Sequence, residues 1–351
     1  MWRGRIVRSS APHSKCGEAA RSPWVQIPPS PPKSKTYRVQ ESYNATMKNQ
    51  GFHGQPYGIE WYKNRAFKSL EQIDDGVWDY SDSVLVYIGA AEEDYESIQQ
   101  IDSPYYKLVT KPERSYLENI ASTIADELPD ESDFIDLGPG TEHKEQFLFD
   151  ALKRQKKHFI YKPVDISNKF LGLATDYARV QGIVVDPILS PFEELATKLK
   201  KPGRVRFVSL GLTYSNYSPH KILNLLKSIT GAEGLAFINS QIRDRIDMDK
   251  LVSMYTKDGY VIMKTKLSLL GLNPDEDITS HYCDDGIRLW CALRNSTSQL
   301  KQIGIMPGTK LLVLQSLRPT SESLQQDIAD VFPRYRILDT NEPFVGAILK
   351  T

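Results

Sequence analysis

From about residue 112 onward, apolar positions recur in two alternating periods. In "KPERSYLENIASTIADEL", Tyr116, Leu117, Ile120 and Ile124 fall on one face and Pro112 lies near the start, which predicts an amphipathic helix. Phe134 to Leu137 is an apolar run of strand length. Gly138, Pro139 and Gly140 stop it, and Phe147, Leu148, Ala151 and Leu152 then recur at helical spacing. The same strand, loop and helix order continues. "HFIYKPVDIS" predicts a strand ending in Asp165, "NKFLGLATDYARV" a helix, "GIVVDPIL" a strand ending at Asp186, and "SPFEELATKL" a helix. "VRFVSLGLTYSNYS", "SPHKILNLLKSI" and "GLAFINSQI" complete the series. Strands and helices at this spacing predict a doubly wound parallel α/β sheet with right-handed crossovers.

The flanks differ. Residues 47–111 are aromatic-rich and irregular, predicting short helices and one apolar run, Val84 to Ile88. Residues 243–316 break the alternation with a helix at "DKLVSMYTKDGYVIMKTKLSLLG" and strands at "ITSHYCDDGIRLWCALRN" and "KLLVLQSL", a small antiparallel sheet. Residues 317–351 return with the helix "SESLQQDIADVF" and the strands "RYRILDT" and "PFVGAILK". The short link between those two strands predicts antiparallel pairing.

The first 46 residues are rich in Pro, Ser, Arg and Lys and lack apolar periodicity, as in disorder or a targeting peptide. A third reading is favoured over both. One choice of codons for "WVQIPPSPP" resembles the T-arm and CCA end of a bacterial transfer-RNA gene, which would put the natural start at Met47.

Composition narrows the function. A chain of 351 residues has room for one large or two modest domains. Lys+Arg and Asp+Glu number 44 each, so no basic stripe argues for nucleic acid and a small-molecule partner fits better. Three cysteines make no disulfide framework, and no apolar stretch reaches eighteen residues. These features predict a cytoplasmic protein with no membrane span.

The candidate chemistry lies where ligands of such sheets bind, outside the carboxyl ends of the strands. Those ends carry Gly138 to Thr141, Asp165, Asp186 and Gly211 to Asn216. Two glycines let the backbone pass close to a ligand, and the following helix aims unpaired N–H groups into the same space. The third glycine of the dinucleotide fingerprint is replaced by His143, and the P-loop lysine and hydroxyl are missing, so neither nucleotide motif is complete. His281, Cys283 and Cys291 lack paired metal-ligand spacing, so no metal site is expected.

A parallel sheet that ends in a hairpin looks like the class I methyltransferase fold. From about Tyr105 to the C-terminus the chain resembles the histidine-specific, S-adenosylmethionine-dependent methyltransferase family. The resemblance rests on "YYKLVTKPE", "IDLGPGTEHK", "YKPVDIS", "LGLTYSNYSP" and the stretch from "PGTKLLVLQSLRPTSESL" to "FVGAILK", in this order. Its best-known members trimethylate the α-amino group of histidine, and fungal members methylate a prenylated tryptophan. The resemblance implies a donor-binding domain from residues 112–242, completed by 317–351. It also implies a smaller α+β substrate domain from 47–111 and the insertion 243–316.

S-adenosylmethionine is the implied methyl donor. Its implied site comprises Asp136, Gly138, Gly140, Thr141, Asp165, Asp186 and Gly211, with Asp165 on the ribose hydroxyls and Asp186 on the adenine amino group. The implied acceptor site comprises one of Tyr105 and Tyr106, then Thr213, Asn216, Tyr255, Leu314 and Ser316. Asn216 and Tyr255 match residues that bind the substrate carboxylate. Leu314 departs from the pattern, because it stands where the histidine enzymes carry a glutamate facing the imidazole. An apolar wall satisfies imidazole poorly. The expected reaction is therefore α-N-methylation of an amino acid or derivative, with histidine a poor fit. The rival expectations are a methyltransferase-like binding protein without catalysis and a dinucleotide oxidoreductase.

Overall fold

The computed structural model describes residues 57–199 and 203–351, so the expectations for the first 46 residues lie outside the described residues. Among the described residues twelve strands fall into two sheets. β1 (Glu71–Asp74), β2 (Val77–Asp79), β8 (Ile278–Cys283), β9 (Arg288–Leu293) and β10 (Lys310–Gln315) form the smaller sheet, in the order β1-β2-β10-β9-β8. The larger contains β3 (Ser132–Leu137), β4 (Phe159–Asp165), β5 (Ile188–Leu189), β6 (Arg206–Leu210), β7 (Leu235–Gln241), β11 (Arg334–Asp339) and β12 (Phe344–Lys350). Its order is β5-β4-β3-β6-β7-β12-β11, and every strand runs the same way except β12, which is antiparallel to both its neighbours. This is the class I methyltransferase sheet.

The period-2 pattern of the parallel strands explains its two covered faces. Phe134, Tyr161, Phe207 and Phe237 point to one face, where helices Lys111–Glu127, Gln146–Arg154 and Asn168–Val180 cover them. Ile135, Val164, Val208 and Ile238 point to the other, under helices Phe192–Lys198, Pro219–Thr230 and Ser321–Val331. Strand order reverses between β3 and β6, so a crevice opens outside their carboxyl ends.

The smaller sheet is built from both flanking segments. The hairpin β1–β2 was not legible in the sequence: Glu71 to Asp74 are all exposed and carry no apolar alternation. β2 pairs in parallel with β10, which ties the two segments together. Two helices leave the ordinary α geometry beside the crevice. Tyr106–Thr110 and Tyr255–Gly259 each form a π-helical turn, a local widening often found at functional sites. No helix among the described residues is long and apolar enough to cross a membrane.

Candidate active site

Two adjoining cavities open above the carboxyl ends of β3, β4 and β6. The first, about 570 Å³ including its mouth, is lined by Gly138, Gly140, Asp165, Ile166, Phe170, Ser190, Pro191 and Phe192 among others. The second, about 770 Å³ on the same basis, is lined by Tyr105, Asn216, Tyr255, Asp258, Leu314 and Ser316 among others. Six residues belong to both: Tyr87, Tyr95, Gly138, Gly140, Thr213 and Asn216. The cavities therefore meet at the glycine loop.

Gly138 and Gly140 have φ of +68° and +69°, the left-handed region that side chains disfavour. A Cβ on Gly140 would lie 2.6 Å from Glu142 Oε2, and one on Gly138 would lie 3.4 Å from Thr213 Oγ1. The loop is braced from below. Lys144 Nζ donates to Glu113 Oε2 at 2.8 Å, and Glu113 Oε1 accepts from Leu212 N and Asn239 Nδ2 at 3.2 and 3.1 Å. Glu113 thus joins the glycine loop, the turn after β6 and β7.

Asp165, at the end of β4, is buried and accepts from the Ser167 backbone N–H at 2.8 Å. Burial pushes its carboxyl up to about 7, with nearby Glu92 adding to the effect. Asp136 is also buried and pushed up to about 7 by burial and by Glu145, while Tyr161 Oη donates to it at 2.9 Å. Asp136 and Gly211 line a third recess behind the loop, not the two cavities. Thr141 lines none of these recesses, and its N–H turns to Glu142 Oε2.

Asp186 is placed elsewhere than its expected role requires. Its side chain is 62% exposed, pairs with Lys162 at 3.1 Å and lines neither cavity. The reason is that pairing with β4 begins at Val185, opposite Tyr161, and runs on past Asp186 to Ile188 and Leu189, so Ser190 and Pro191, not Asp186, reach the crevice.

In the larger cavity the structure brings most of the residues expected for the acceptor together. Tyr105 lines the larger cavity and Tyr106 does not. The Tyr105 and Tyr255 rings meet edge to face, with centroids 6.2 Å apart. Tyr255 Oη and Ser316 Oγ are 3.1 Å apart. Leu314 is buried and faces Gly259, where a Cβ would stand 3.6 Å from Leu314 Cδ2. Asn216 hydrogen-bonds the Tyr87 hydroxyl, and burial holds the Tyr87 phenol well above its usual range.

Sequence reasoning missed several lining residues. Tyr87 and Tyr95 come from the irregular aromatic-rich segment, and Tyr95 Oη donates to Glu142 Oε1 at 2.8 Å. Glu113, Glu142 and Lys144 lie inside the stretches "KPE" and "GTEHK", where charge next to a glycine turn was the available signal. With Asp258, the lining holds three carboxylates against the single cation of Lys144 among the described residues. That balance favours cationic ligands.

The sequence profile described as "Histidine-specific methyltransferase, SAM-dependent" matches residues 83–260. The chain belongs to that family. A histidine N-alpha-methyltransferase from Mycobacterium tuberculosis (strain CDC 1551 / Oshkosh) is 25% identical over 193 residues, which are 50% of this chain and 59% of that protein. The chain thus spans about three-fifths of that relative's length. Among solved structures, the PH0226 protein from Pyrococcus horikoshii OT3 matches with TM-score 0.42 and 13% identity, over 75% of this chain and 99% of its own. An S-adenosylmethionine-dependent methyltransferase from Clostridium acetobutylicum ATCC 824 matches with TM-score 0.40 and 13% identity, over 74% and 98%.

Proposed function

We propose that the chain transfers a methyl group from S-adenosylmethionine to the α-amino group of an amino acid or amino-acid derivative. The observation that carries the reading is the meeting of two cavities at one glycine loop, one with a buried aspartate and one lined by amide and hydroxyl groups. The residues of the smaller cavity suit the donor. Gly138 and Gly140 leave the backbone bare where a Cβ would intrude, and Asp165 can accept from a vicinal diol. Phe170, Pro191 and Phe192 offer apolar surface to a planar base. When bound, the donor supplies an electrophilic methyl on a positively charged sulfur.

The larger cavity then has to hold an amine in line with that methyl, so positioning supplies most of the catalysis. Asn216 and Tyr255 bind the acceptor carboxylate, while Thr213 and Tyr105 confine the amine. Burial holds the phenols of Tyr87, Tyr95 and Tyr105 above their usual range, which suits them to donate hydrogen bonds. The ammonium proton leaves to water before transfer, helped by the adjacent positive charge that lowers the amine pKa. Leu314, buried in the wall, offers imidazole no partner and favours an apolar side chain over histidine.

Calorimetric titration separates this reading from the oxidoreductase alternative. S-adenosylmethionine should bind and NAD should not; the reverse preference would sink the proposal.

A further inference from the structure

Arg318 is 4% exposed and carries its charge into the wall behind Tyr255 and Ser316. Its Nε donates to Gln241 Oε1 at 2.9 Å. Nη1 donates to the Ser316 carbonyl and Oγ at 2.7 and 2.9 Å, and Nη2 to Tyr255 Oη at 3.2 Å. Every one of these acceptors is neutral, and no carboxylate lies within 4 Å of the guanidinium among the described residues. A buried cation without an anion is costly, because neutral oxygens replace its hydration only in part. Yet the surroundings hold this one firmly. Gln241, its partner on β7, also donates from Nε2 to the Leu108 carbonyl at 2.7 Å, inside the π-helical turn that follows Tyr105.

The hydrogen-bond inventory gives the arrangement a direction. Tyr255 Oη and Ser316 Oγ each accept from Arg318, and they lie 3.1 Å from each other. Two hydroxyls own two protons, and one is used between them. The other has no acceptor in the pair and is left for the cavity that both residues line. A fixed positive charge therefore stands behind an outward-turned O–H, an arrangement complementary to a carboxylate.

We propose that Arg318 is a positioning residue that makes the Tyr255–Ser316 pair selective for the carboxylate of the acceptor, and that this carboxylate, across the two hydroxyls, is the counter-charge it lacks. The proposal rests on the reading of the larger cavity as the acceptor site. It deepens that reading by making the free carboxylate a requirement: an amine of the same side chain without it is rejected.

The test uses the full chain saturated with S-adenosylhomocysteine. The twenty common amino acids are screened for binding by calorimetry, and the best binder is compared with the amine that lacks its carboxyl group. The parent should prefer the acid by about 100-fold, and Arg318→Met should cut that preference to about tenfold or less, in keeping with a charge-assisted contact. Arg318→Lys, which keeps the charge and loses the fork, should fall between the two. Affinity for S-adenosylhomocysteine should stay within about twofold in both variants, whereas a merely structural role would lower it together with the melting temperature and leave the ratio alone. An acid-to-amine ratio equal to the parent's in a folded Arg318→Met protein overturns the proposal. Should that variant not fold, an unchanged ratio in Arg318→Lys overturns it equally. If no amino acid binds while S-adenosylhomocysteine does, the acceptor reading fails and this proposal with it.

Discussion

Lys144 Nζ lies 2.8 Å from Glu113 Oε2, and this ion pair, with the Arg114 guanidinium donating to the Glu142 carbonyl, fastens the glycine loop to the first turn of the long helix that begins at Lys111. The Glu113 side chain is 2% exposed and that of Lys144 20%, so the pair is largely shielded from water. Glu113→Gln leaves Lys144 with only Glu142, 3.8 Å away. The expected loss is about 3 kcal/mol, the low end for breaking a buried pair. Urea unfolding measures it, and a loss below about 1 kcal/mol would mean that the loop is held by other contacts.

The two aspartates at strand ends should behave differently. Asp165→Ala should weaken S-adenosylmethionine binding by about 1 to 3 kcal/mol through lost hydrogen bonds in a buried site. Asp186→Ala should leave it unchanged, because that side chain is exposed and paired with Lys162. Gly140→Val should be worse than either, since its Cβ would meet Glu142 Oε2 in a left-handed backbone conformation. Titration of the three variants decides the matter. Equal effects at 165 and 186 would mean that the donor cavity has been misplaced.

Burial raises the Asp165 carboxyl to about 7, above the value of about 4 in an unfolded chain. Between those values the folded protein holds a proton that the unfolded chain has released. Its contribution to stability is therefore largest below about pH 4 and falls as pH rises toward 7. Asp165→Asn should flatten that part of the stability profile, while Asp136, also raised to about 7, keeps its own share. A diol that donates to Asp165 favours the carboxylate. Donor binding near neutral pH should then release protons and tighten as pH rises. Calorimetry in buffers of different ionisation enthalpy reads the proton count, and uptake in place of release would contradict the assignment.

Leu314→Glu should shift acceptor preference toward histidine, since the new carboxylate can pair with an imidazole N–H. The protein should also lose stability, because the wall at Leu314 is buried and an unpaired carboxylate there is costly. A competition assay between histidine and an apolar amino acid, read by mass, follows the shift. An unchanged preference would remove position 314 from the set that reads the side chain.

What the sequence disclosed follows from the range of the interactions involved. The parallel strands were legible because Phe134 and Ile135, or Phe207 and Val208, serve opposite covered faces within one short apolar run. That Asp165 and Asn216 line the crevice was legible because each lies next to a strand end in an ordered motif. β5 ends later than expected, since both apolar stretches of "IVVDPIL" pair with β4: Val185 bridges Tyr161, and the strand runs on past Asp186 to Ile188 and Leu189, opposite Val164 and Asp165. The hairpin β1–β2 depends on pairing with β10, more than 200 residues away, and its own pattern is polar. Tyr87, Tyr95 and Arg318 reach the site only through the way the smaller sheet and its helices pack over the larger one. The two π-helical turns leave no mark in a pattern of apolar positions.

An amine held beside Asn216 and Tyr255 should receive the methyl group of a donor held by Gly138, Gly140 and Asp165. The most direct measurement incubates the protein with S-adenosylmethionine and each amino acid, and follows acceptor mass and S-adenosylhomocysteine together. At least one amino acid with an apolar side chain should gain one or more methyl groups on its α-nitrogen, with equal amounts of S-adenosylhomocysteine formed, and Asn216→Ala should abolish the gain while donor binding persists. Efficient methylation of free histidine in preference to apolar amino acids would contradict the role given to Leu314. Donor binding with no methylated amino acid at all would contradict the claim itself.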